Sequence, residues 1–378
     1  MIVIIGAGLI GLGIAYELAR RGAVVRVVEA RAPAAAASWA GAGMLAPYTE
    51  ALSSPALETL CAQSLVAYPA FVEGLRANST VDSHLRLDGV LQVAYDGLEE
   101  ARLGAHVARL AARGVAARWL SRAEALEAEP ALSARTRGAA LLEGEGQVDN
   151  RRLGRALTAA CAALGVEVAA GVGEVAIEAN ARRVLGIRTA DGFFAARAVV
   201  NAAGAWAGAL AGVPANVRVP VVPVKGQMLA LAAPRALVRR VVWAPGIYLV
   251  PRTDGRLLLG ATVEDAGFDV RVTARALRDL LAAGLAAMPA LSDLAIGETW
   301  AGLRPGSPDG LPFLGATTLE GYFLATGHYR NGILLAPATA RILADALEGK
   351  APAPGDGAFA PTRTLEEGGG PAENGPQR

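Results

Sequence analysis

Residues 2–29 read IVIIGAGLIGLGIAYELARRGAVVRVVE, and this stretch decides the fold. A β-branched run over residues 2–5 predicts a strand, residues 9–21 have helical character, and residues 23–28 form a second apolar run. Between the first strand and the helix lies the turn GAGLIG, residues 6–11. A strand, a glycine turn, a helix and a second strand predict a βαβ unit at this end of the chain.

The GAGLIG turn matches the GxGxxG pattern of dinucleotide-binding folds. Gly6 permits the tight turn, Gly8 lets the backbone approach a pyrophosphate, and Gly11 lets the helix pack on the strand. The pyrophosphate would lie at the positive end of the helix dipole. Glu29 ends the second strand, where a carboxylate accepts hydrogen bonds from ribose hydroxyls and repels a 2′-phosphate. The motif alone leaves NAD and FAD open, and a plain strand-turn-helix is the alternative.

Length and charge indicate the number of domains and the kind of molecule that the chain binds. The chain has 378 residues, 53% of them hydrophobic, with 36 Lys and Arg against 35 Asp and Glu and a net charge of +1. This length predicts two domains. The balanced charge disfavours nucleic acid and predicts a small-molecule partner.

Cysteine and histidine, the residues that form disulfides and bind metal ions, are rare in this chain. Two cysteines, Cys61 and Cys161, are too few for a disulfide framework and predict a reducing cytoplasm. Three histidines without a carboxylate cluster predict no metal site. The apolar first sixteen residues lack a basic segment and are followed by Glu17, so no membrane anchor is expected. The sequence leaves open whether the chain forms a homo-oligomer.

The segment after the βαβ unit distinguishes the two cofactors. Residues 31–47 read RAPAAAASWAGAGMLAP, whereas a nicotinamide domain would continue as further βαβ units. A run of small residues suits close passage along an extended cofactor, which favours FAD. A flexible loop is the alternative.

The rest of the chain alternates between sheet and helix patterns. Apolar stretches within residues 85–148 and 221–263 are separated by turn signals, with Asp254-Gly255 the clearest hairpin, and predict an antiparallel sheet. Residues 197–204 predict a buried parallel strand and residues 322–326 another strand. The predicted helices cover residues 98–113, 150–164 with Asp149 as cap, 273–287, and a final amphipathic helix that ends near residue 347.

Four further motifs carry a specific resemblance. They are Ser38-Trp39 through Gly43-Met44-Leu45, NAAGAW at residues 201–206, WAGLRPGSPDGLPFLG at residues 300–315, and GHYRNGILLAP at residues 327–337. In order and spacing they resemble the D-amino-acid oxidase superfamily of FAD-dependent oxidoreductases, and within it the glycine oxidases of thiamine biosynthesis.

The resemblance implies an α/β fold with an α+β substrate domain. A discontinuous Rossmann-like FAD-binding domain would comprise residues 1–84, 149–220 and 298–350. Residues 85–148 and 221–297 would form a substrate domain whose antiparallel sheet roofs the flavin. Residues 351–378, rich in Pro, Gly, Ala and Glu, are predicted to be a disordered tail.

The resemblance also implies a substrate site. Arg304 would hold the substrate carboxylate with its planar fork, and Tyr248 would donate a hydroxyl to the same group. Arg330 would lie at the substrate end of the flavin, and Val263 and His328 would line the pocket. The bland alternatives are structural ion pairs for the two arginines and a half-buried strand aromatic for Tyr248.

The predicted cofactor site draws on both ends of the chain. Residues 330–334 would open the last helix, so that free N–H groups and the positive dipole end stabilise negative charge on the flavin's pyrimidine edge. FAD is expected to be non-covalent. The predicted cofactor-binding residues are Gly6, Gly8, Leu9, Ile10, Gly11, Glu29, Ala30, Arg31, Ser38, Gly43, Met44, Val175, Ala203, Gly204, Trp206, Arg330, Asn331, Gly332, Ile333 and Leu334.

The expected reaction is oxidative deamination of glycine or a small D-amino acid. Hydride would pass from Cα to flavin N5 with no dedicated protein base, giving an imine, and O2 would reoxidise the flavin to give H2O2. The alternatives are a D-amino-acid dehydrogenase with a quinone acceptor and a sarcosine or N-methyl amine oxidase. A flavin module of a tRNA-modifying protein and a non-catalytic FAD scaffold are less favoured, because the charge is neutral and the Arg304 motif is intact.

Overall fold

The fold contains two large sheets, and each of them combines strands from three separated parts of the chain. The computed structural model describes residues 1–365 except 51, 53, 235 and 236. Its strands are β1 (Ile2–Ile5), β2 (Val25–Glu29), β3 (Met44–Leu45), β4 (Val90–Ala94), β5 (Ala117–Ser121), β6 (Gly138–Leu142), β7 (Gly146–Gln147), β8 (Glu167–Ala170), β9 (Ala176–Ala179), β10 (Val184–Thr189), β11 (Gly192–Ala195), β12 (Ala198–Asn201), β13 (Val222–Ala232), β14 (Val241–Ala244), β15 (Ile247–Pro251), β16 (Arg256–Gly260), β17 (Ile296–Gly306), β18 (Phe313–Ala316) and β19 (Tyr322–Thr326).

The helices connect and cover these strands. They are α1 (Leu9–Arg20), α2 (Ala37–Ala40), α3 (Pro55–Arg76), α4 (Gly97–Ala112), α5 (Arg122–Ala128), α6 (Asn150–Ala163), α7 (Ala274–Ala287) and α8 (Ala336–Leu347). Short 3-10 helices cover Gly204–Ala209, Ala215–Val217, Pro289–Asp293 and Asp356–Phe359.

The first sheet has six strands in the order β18-β19-β12-β1-β2-β8. All neighbours are parallel except β18 and β19. Every residue of β1 is buried, as a central parallel strand covered on both faces requires, and α1 packs against α6 and α8. The predicted βαβ unit and the predicted strands at residues 197–204 and 322–326 are confirmed.

The second sheet has eight strands in the order β17-β13-β16-β15-β14-β4-β6-β5. The predicted hairpin is confirmed, because Asp254 and Gly255 join β15 to β16 and Gly255 has φ 90°. The expectation of a wholly antiparallel sheet is wrong at one place: β14 pairs with β4 in parallel. Two antiparallel blocks come from distant chain segments, and they meet edge to edge at this pair.

The two faces of the eight-stranded sheet have different neighbours. On one face, Leu249 and Leu259 lie in an apolar cluster with Leu280 of α7. On the other face, Met228 and Trp300 lie in a cluster with residues of the small-residue segment that follows the βαβ unit. This second face is the one that carries the site.

Strand β17 runs through a predicted domain boundary. Ile296–Gly306 pairs along β13 as the edge of the eight-stranded sheet. The boundary that we placed between residues 297 and 298 therefore falls inside a strand. Residues 298–306 belong to the same sheet as β13, although the resemblance assigned them to the other domain.

Helices α1, α4, α6 and α7 form within one residue of their expected ends, and α8 ends at Leu347 as expected. Asp96, Asp149 and Thr273 cap α4, α6 and α7 by accepting hydrogen bonds from backbone N–H groups. Helix α3 and the three-stranded sheet β11-β10-β9 were not among the predicted elements.

The start of the predicted disordered tail is ordered, which corrects that expectation for residues 351–365. Phe359 is only 1% exposed and lies in the core cluster around α1. Arg363 binds both carboxylate oxygens of Asp309, at 2.7 and 3.0 Å, and covers the Phe313 ring. The buried ring of Phe359 and the bidentate ion pair between Arg363 and Asp309 stabilise this segment, although its composition is typical of disorder. Residues 366–378 lie outside the described residues.

Across the described residues, no helix combines the length and apolar character needed to cross a bilayer.

Candidate active site

The glycine turn between β1 and α1 is closely packed. Gly6 has φ 105°, and a Cβ there would lie 2.4 Å from the Ala202 carbonyl oxygen. A Cβ on Gly11 would lie 1.9 Å from the Gly6 carbonyl oxygen. Both positions therefore exclude any side chain, as the predicted nucleotide-binding turn requires.

Two polar side chains border this turn. The Glu29 carboxylate, at the end of β2, accepts hydrogen bonds from the Ala7 N–H at 2.8 Å and the Arg31 N–H at 3.0 Å. The Ser38 Oγ accepts one from the Leu9 N–H at 2.9 Å, at the start of α1. Glu29 and Ser38 thus lie at the turn and the positive end of the helix, where an anionic ligand is favoured.

The carboxyl ends of β1, β2 and β12 lie at one edge of the parallel sheet. The predicted residues Val175 and Ala203 lie there in one apolar cluster with Ile5 and Val28. Gly204, with φ 55°, begins the 3-10 helix after β12. In an open parallel sheet this edge is where ligands bind.

An aromatic stack extends from this edge. The Arg31 guanidinium lies 4.3 Å from the centroid of the Trp206 ring. The Trp206 ring also stacks with Phe268, at 5.6 Å between centroids and 26° between planes. Of the other predicted cofactor residues, Leu9 is buried, Ile10 and Met44 are half-buried and Ala30 is exposed.

The small-residue segment, residues 31–47, is held in place by close packing and by hydrogen bonds. Gly43 has φ 68°, and a Cβ there would lie 2.0 Å from the Val148 carbonyl oxygen. The Arg252 guanidinium, buried after β15, donates to the Ala42 carbonyl and the Asn150 side chain, both at 2.8 Å. Burial lowers the pKa of Arg252 to about 10. Since Arg252 follows the strand of Tyr248, it joins the segment to the eight-stranded sheet.

The side chain of Arg304 lies across β13, on the face of the eight-stranded sheet that carries Met228 and Trp300. Its Nη1 donates to the carbonyl oxygens of Lys225 at 3.2 Å and Thr262 at 3.1 Å. A Cβ on Gly226 would lie 2.4 Å from Nη2, so the guanidinium lies where residue 226 has no side chain. No Asp or Glu among the described residues forms a salt bridge with Arg304. The fork is thus oriented by carbonyls and left without a carboxylate partner.

Tyr248 lies beside this guanidinium. Its ring lies over Gly260, where a Cβ would be 2.7 Å away, and its hydroxyl is 3.8 Å from the Met228 sulfur. Burial raises the pKa of the Tyr248 hydroxyl, while the charges of Arg304 and Arg330 act to lower it. The hydroxyl is therefore a neutral donor next to two cations.

Arg330 reaches the same site from another segment. The Tyr329 N–H donates to the Pro305 carbonyl at 2.9 Å, which holds this loop against the strand of Arg304. Tyr329 has φ 48°, a left-handed conformation that is uncommon for a non-glycine residue. Within the described chain the buried Nε of Arg330 has no hydrogen-bond partner, and no carboxylate forms a salt bridge with it.

Residues 331–335 form a turn before the helix, which corrects the expectation that residues 330–334 open it. Helix α8 begins at Ala336 with Pro337 in its first turn, where a missing N–H costs nothing. Ser64 and Tyr68 of α3 donate to the Leu334 and Ile333 carbonyls at 2.6 and 2.9 Å. No described residue accepts a hydrogen bond from the N–H groups of residues 332–334. The predicted free donors are therefore present in the turn.

The two predicted pocket residues differ in environment. His328 is buried, and its Nε2 lies 3.0 Å from the Thr339 hydroxyl of α8. Burial lowers the pKa of His328 to about 3, so the ring is neutral. Val263 directly follows Thr262 and is 52% exposed.

Sequence reasoning missed Glu50. Burial raises the pKa of its carboxyl, and the charges of Arg330 and Arg304 oppose that rise, so Glu50 lies within the field of both arginines. Its segment is held by the buried Glu145, whose carboxylate accepts from the N–H groups of Tyr48 at 2.5 Å and Thr49 at 3.0 Å. A signal was available: Glu50 is the single acidic residue between Glu29 and Glu58.

Comparison with known proteins confirms the resemblance. A model of the FAD dependent oxidoreductase family matches residues 1–346. The chain belongs to the FAD-dependent oxidoreductase family. It is 37% identical to the glycine oxidase of Pseudomonas aeruginosa over 366 residues, 96% of this chain and 99% of that protein. The crystal structure of glycine oxidase from Geobacillus kaustophilus superposes with a TM-score of 0.91 at 36% identity, covering 97% of this chain and 99% of that one.

Other relatives of this FAD-dependent oxidoreductase are longer. The chain is 39% identical over 348 residues to the bifunctional protein ThiO/ThiG of Trichormus variabilis, which covers 91% of this chain and 52% of that protein. The chain therefore spans about half the length of the bifunctional relatives that it matches.

The site of this FAD-dependent oxidoreductase fits FAD. The glycines of the turn let α1 begin directly at the end of β1, and the start of α1 supplies a positive dipole end for a pyrophosphate. At the other end of the site, the N–H groups of residues 332–334 and the Nε of Arg330, which have no acceptor among the described residues, are donors for a polar ligand edge. Both groups of donors match the negative groups of a flavin dinucleotide.

Proposed function

We propose that this protein oxidises glycine or a small D-amino acid to the corresponding imine. The observation that carries the proposal is the unpaired fork of Arg304, oriented over Gly226 beside the Tyr248 hydroxyl. A planar guanidinium with one nitrogen already fixed by carbonyls can offer its remaining N–H groups to a carboxylate. The names of the glycine oxidase relatives support the same substrate class.

The chain's own residues orient the substrate. Arg304 and Tyr248 would bind the carboxylate, which fixes the direction of Cα. Arg330 would add positive potential at the same end of the site. The bound FAD supplies the two-electron acceptor for the hydride that leaves Cα. The lone pair of the substrate amine forms the C=N bond as the hydride leaves, so no protein base is required in that step.

We further propose O2 as the final acceptor, with H2O2 as product, and thiazole formation in thiamine biosynthesis as the use of the imine. The names of the bifunctional ThiO/ThiG relatives support the thiamine part of this proposal. We place the reaction in the cytoplasm, because Cys61 and Cys161 are free and buried and so fit a reducing compartment. A quinone acceptor and sarcosine as substrate remain the competing assignments.

Anaerobic mixing with glycine tests the proposal. The FAD-loaded protein is followed at the flavin band near roughly 450 nm, and air is then admitted. Bleaching by glycine, recovery in air and H2O2 release are expected. Bleaching by D-alanine alone would narrow the proposal to small D-amino acids. Bleaching by sarcosine alone would replace the proposed substrate, and recovery only with a quinone would replace O2.

Arg304→Ala is the matched variant for that experiment. It should bind FAD as wild type does but require much more glycine for bleaching, because the carboxylate loses its charged partner. Equal glycine dependence in the variant and the wild type would contradict the assigned role of Arg304.

A further inference from the structure

A buried polar cluster lies on the face of β13 opposite Arg304. Neighbouring residues of a strand alternate between faces, so Lys225 and Gln227 point away from the side on which Gly226 faces the guanidinium. Lys225 is 1% exposed and Gln227 is 0% exposed. Buried polar groups of this kind need partners, and their partners show what they hold in place.

The partners all come from the segment that links β16 to α7. The Gln227 Nε2 donates to the two carboxylate oxygens of Glu264 at 2.8 and 3.0 Å. Its Oε1 accepts from the Thr273 N–H at 2.7 Å. The Gln227 amide therefore holds both ends of this segment against β13.

Glu264 is the second centre of the cluster. Its carboxylate accepts from the Thr262 hydroxyl as well as from Gln227. Its backbone exchanges two hydrogen bonds of 3.0 Å with the backbone of Lys225. The Lys225 Nζ lies 4.0 Å from Glu264 and 3.9 Å from Asp269, so two carboxylates neutralise the buried cation.

Thr262 connects this cluster to the opposite face. The Gln227 N–H donates to the Thr262 Oγ1 at 2.8 Å. The carbonyl of the same Thr262 accepts from the Nη1 of Arg304 at 3.1 Å. The other acceptor of Nη1 is the Lys225 carbonyl. Both acceptors that orient the guanidinium thus belong to backbone that the cluster fixes.

We propose that Gln227 and Glu264 are positioning residues for Arg304. By fixing the Thr262 carbonyl, they set the direction in which the remaining N–H groups of the guanidinium point. The inference rests on the proposed function, in which Arg304 binds the substrate carboxylate. Neither residue touches the substrate.

Acetate is the probe for this role, because it carries the carboxylate and cannot be oxidised at an amine-bearing carbon. Its dissociation constant is measured by perturbation of the flavin spectrum of the FAD-loaded protein. Glu264→Ala and Gln227→Met should each weaken acetate binding and raise the glycine KM about tenfold, with kcat changed much less. Glu264→Gln keeps one acceptor oxygen at the position of Oε1, which serves both Thr262 and Gln227, and should restore most of the affinity.

Asp269→Asn is the matched control. It removes the other carboxylate beside Lys225 but no hydrogen bond to Thr262 or Gln227, so acetate binding should stay at the wild-type value. FAD affinity should be unchanged in every variant, which separates positioning from general loss of structure.

The outcomes separate the inference from the function on which it rests. Wild-type acetate affinity in FAD-loaded Glu264→Ala and Gln227→Met, with weakened binding in Arg304→Ala, would overturn the positioning role alone. Equal weakening by Asp269→Asn would also overturn it, because the charge around Lys225 would then be the cause. Wild-type acetate affinity in Arg304→Ala would overturn both proposals.

Discussion

The guanidinium of Arg304 lies directly over Gly226. A Cβ on residue 226 would be 2.4 Å from Nη2 and 2.5 Å from Nη1, closer than non-bonded atoms can approach. The two residues are on adjacent strands, with Arg304 opposite Val224 in the register of β17 and β13. The missing side chain of Gly226 is therefore what lets the arginine lie across β13.

Gly226→Ala should displace Arg304 without unfolding the protein. The clashing atoms are the end of a flexible side chain, so the guanidinium can move aside while the backbone stays. We expect the glycine KM to rise about tenfold or more, equivalent to about 1.4 kcal/mol of lost binding. The unfolding free energy should fall by less than about 1 kcal/mol.

Gly297→Ala is the control for that variant. It lies on the same strand as Arg304, where a Cβ would make an ordinary contact of 3.5 Å with the Ala230 carbonyl oxygen. Its kinetics should match the wild type. An unchanged glycine KM in Gly226→Ala would show that Arg304 does not need its present position.

Glu50→Gln should strengthen carboxylate binding. Burial raises the pKa of the Glu50 carboxyl against the charges of Arg330 and Arg304, and at a pH above that raised pKa its negative charge opposes a substrate carboxylate in the same field. Acetate should therefore bind more tightly to the variant, as measured by flavin perturbation. Because we propose no protein base, kcat should fall by less than about tenfold. A loss of about 100-fold or more would identify Glu50 as a general base.

Glu145→Gln should alter how stability depends on pH. Burial raises the pKa of Glu145 to about 7 from a usual value of 4.5. Below pH 4.5 both the folded and the unfolded chain hold the proton. As the pH rises toward 7, the unfolded chain releases it while the folded chain retains it, so wild-type stability falls by about 3 kcal/mol and is constant above that range.

The amide of Glu145→Gln does not titrate, so the variant lacks this decrease. The unfolding free energy of the variant minus that of the wild type should grow between pH 4.5 and 7, as measured by urea unfolding at fixed FAD concentration. A constant difference across that range would mean that the carboxyl of Glu145 ionises normally.

Arg252→Lys should weaken FAD binding. The guanidinium binds Ala42 and Asn150 through Nη2 and Gln147 and Val148 through Nη1. A lysine has a single nitrogen, which cannot reach the acceptors of both. We expect the FAD dissociation constant to rise about tenfold and the unfolding free energy to fall by about 2 kcal/mol.

Arg256→Lys is the comparison for this variant. Arg256 is also charged and close by, but it is half-buried and pairs with Asp254 and Asp149. Its FAD affinity should stay within about twofold of wild type. Equal FAD affinity for Arg252→Lys and wild type would show that the small-residue segment needs no such support.

Local signals in the sequence were enough for much of the fold. The GAGLIG turn, the Asp254-Gly255 hairpin and the Asp149 cap each act through residues a few positions apart, so their physics is visible in a short stretch of chain. The family motifs added Arg304, Tyr248 and Arg330, which come from three separate segments and meet at one site.

The sequence by itself determined the nucleotide-binding turn, the βαβ unit, the helices α4, α6 and α7, and the family to which the chain belongs. Only the tertiary structure decided how Arg304 is oriented, that Glu50 lies in its field, that β14 pairs in parallel with β4, and that Phe359 orders the start of the tail. These features depend on contacts between segments far apart in the chain. Such contacts are selected by the packing of the whole core, which no local pattern encodes.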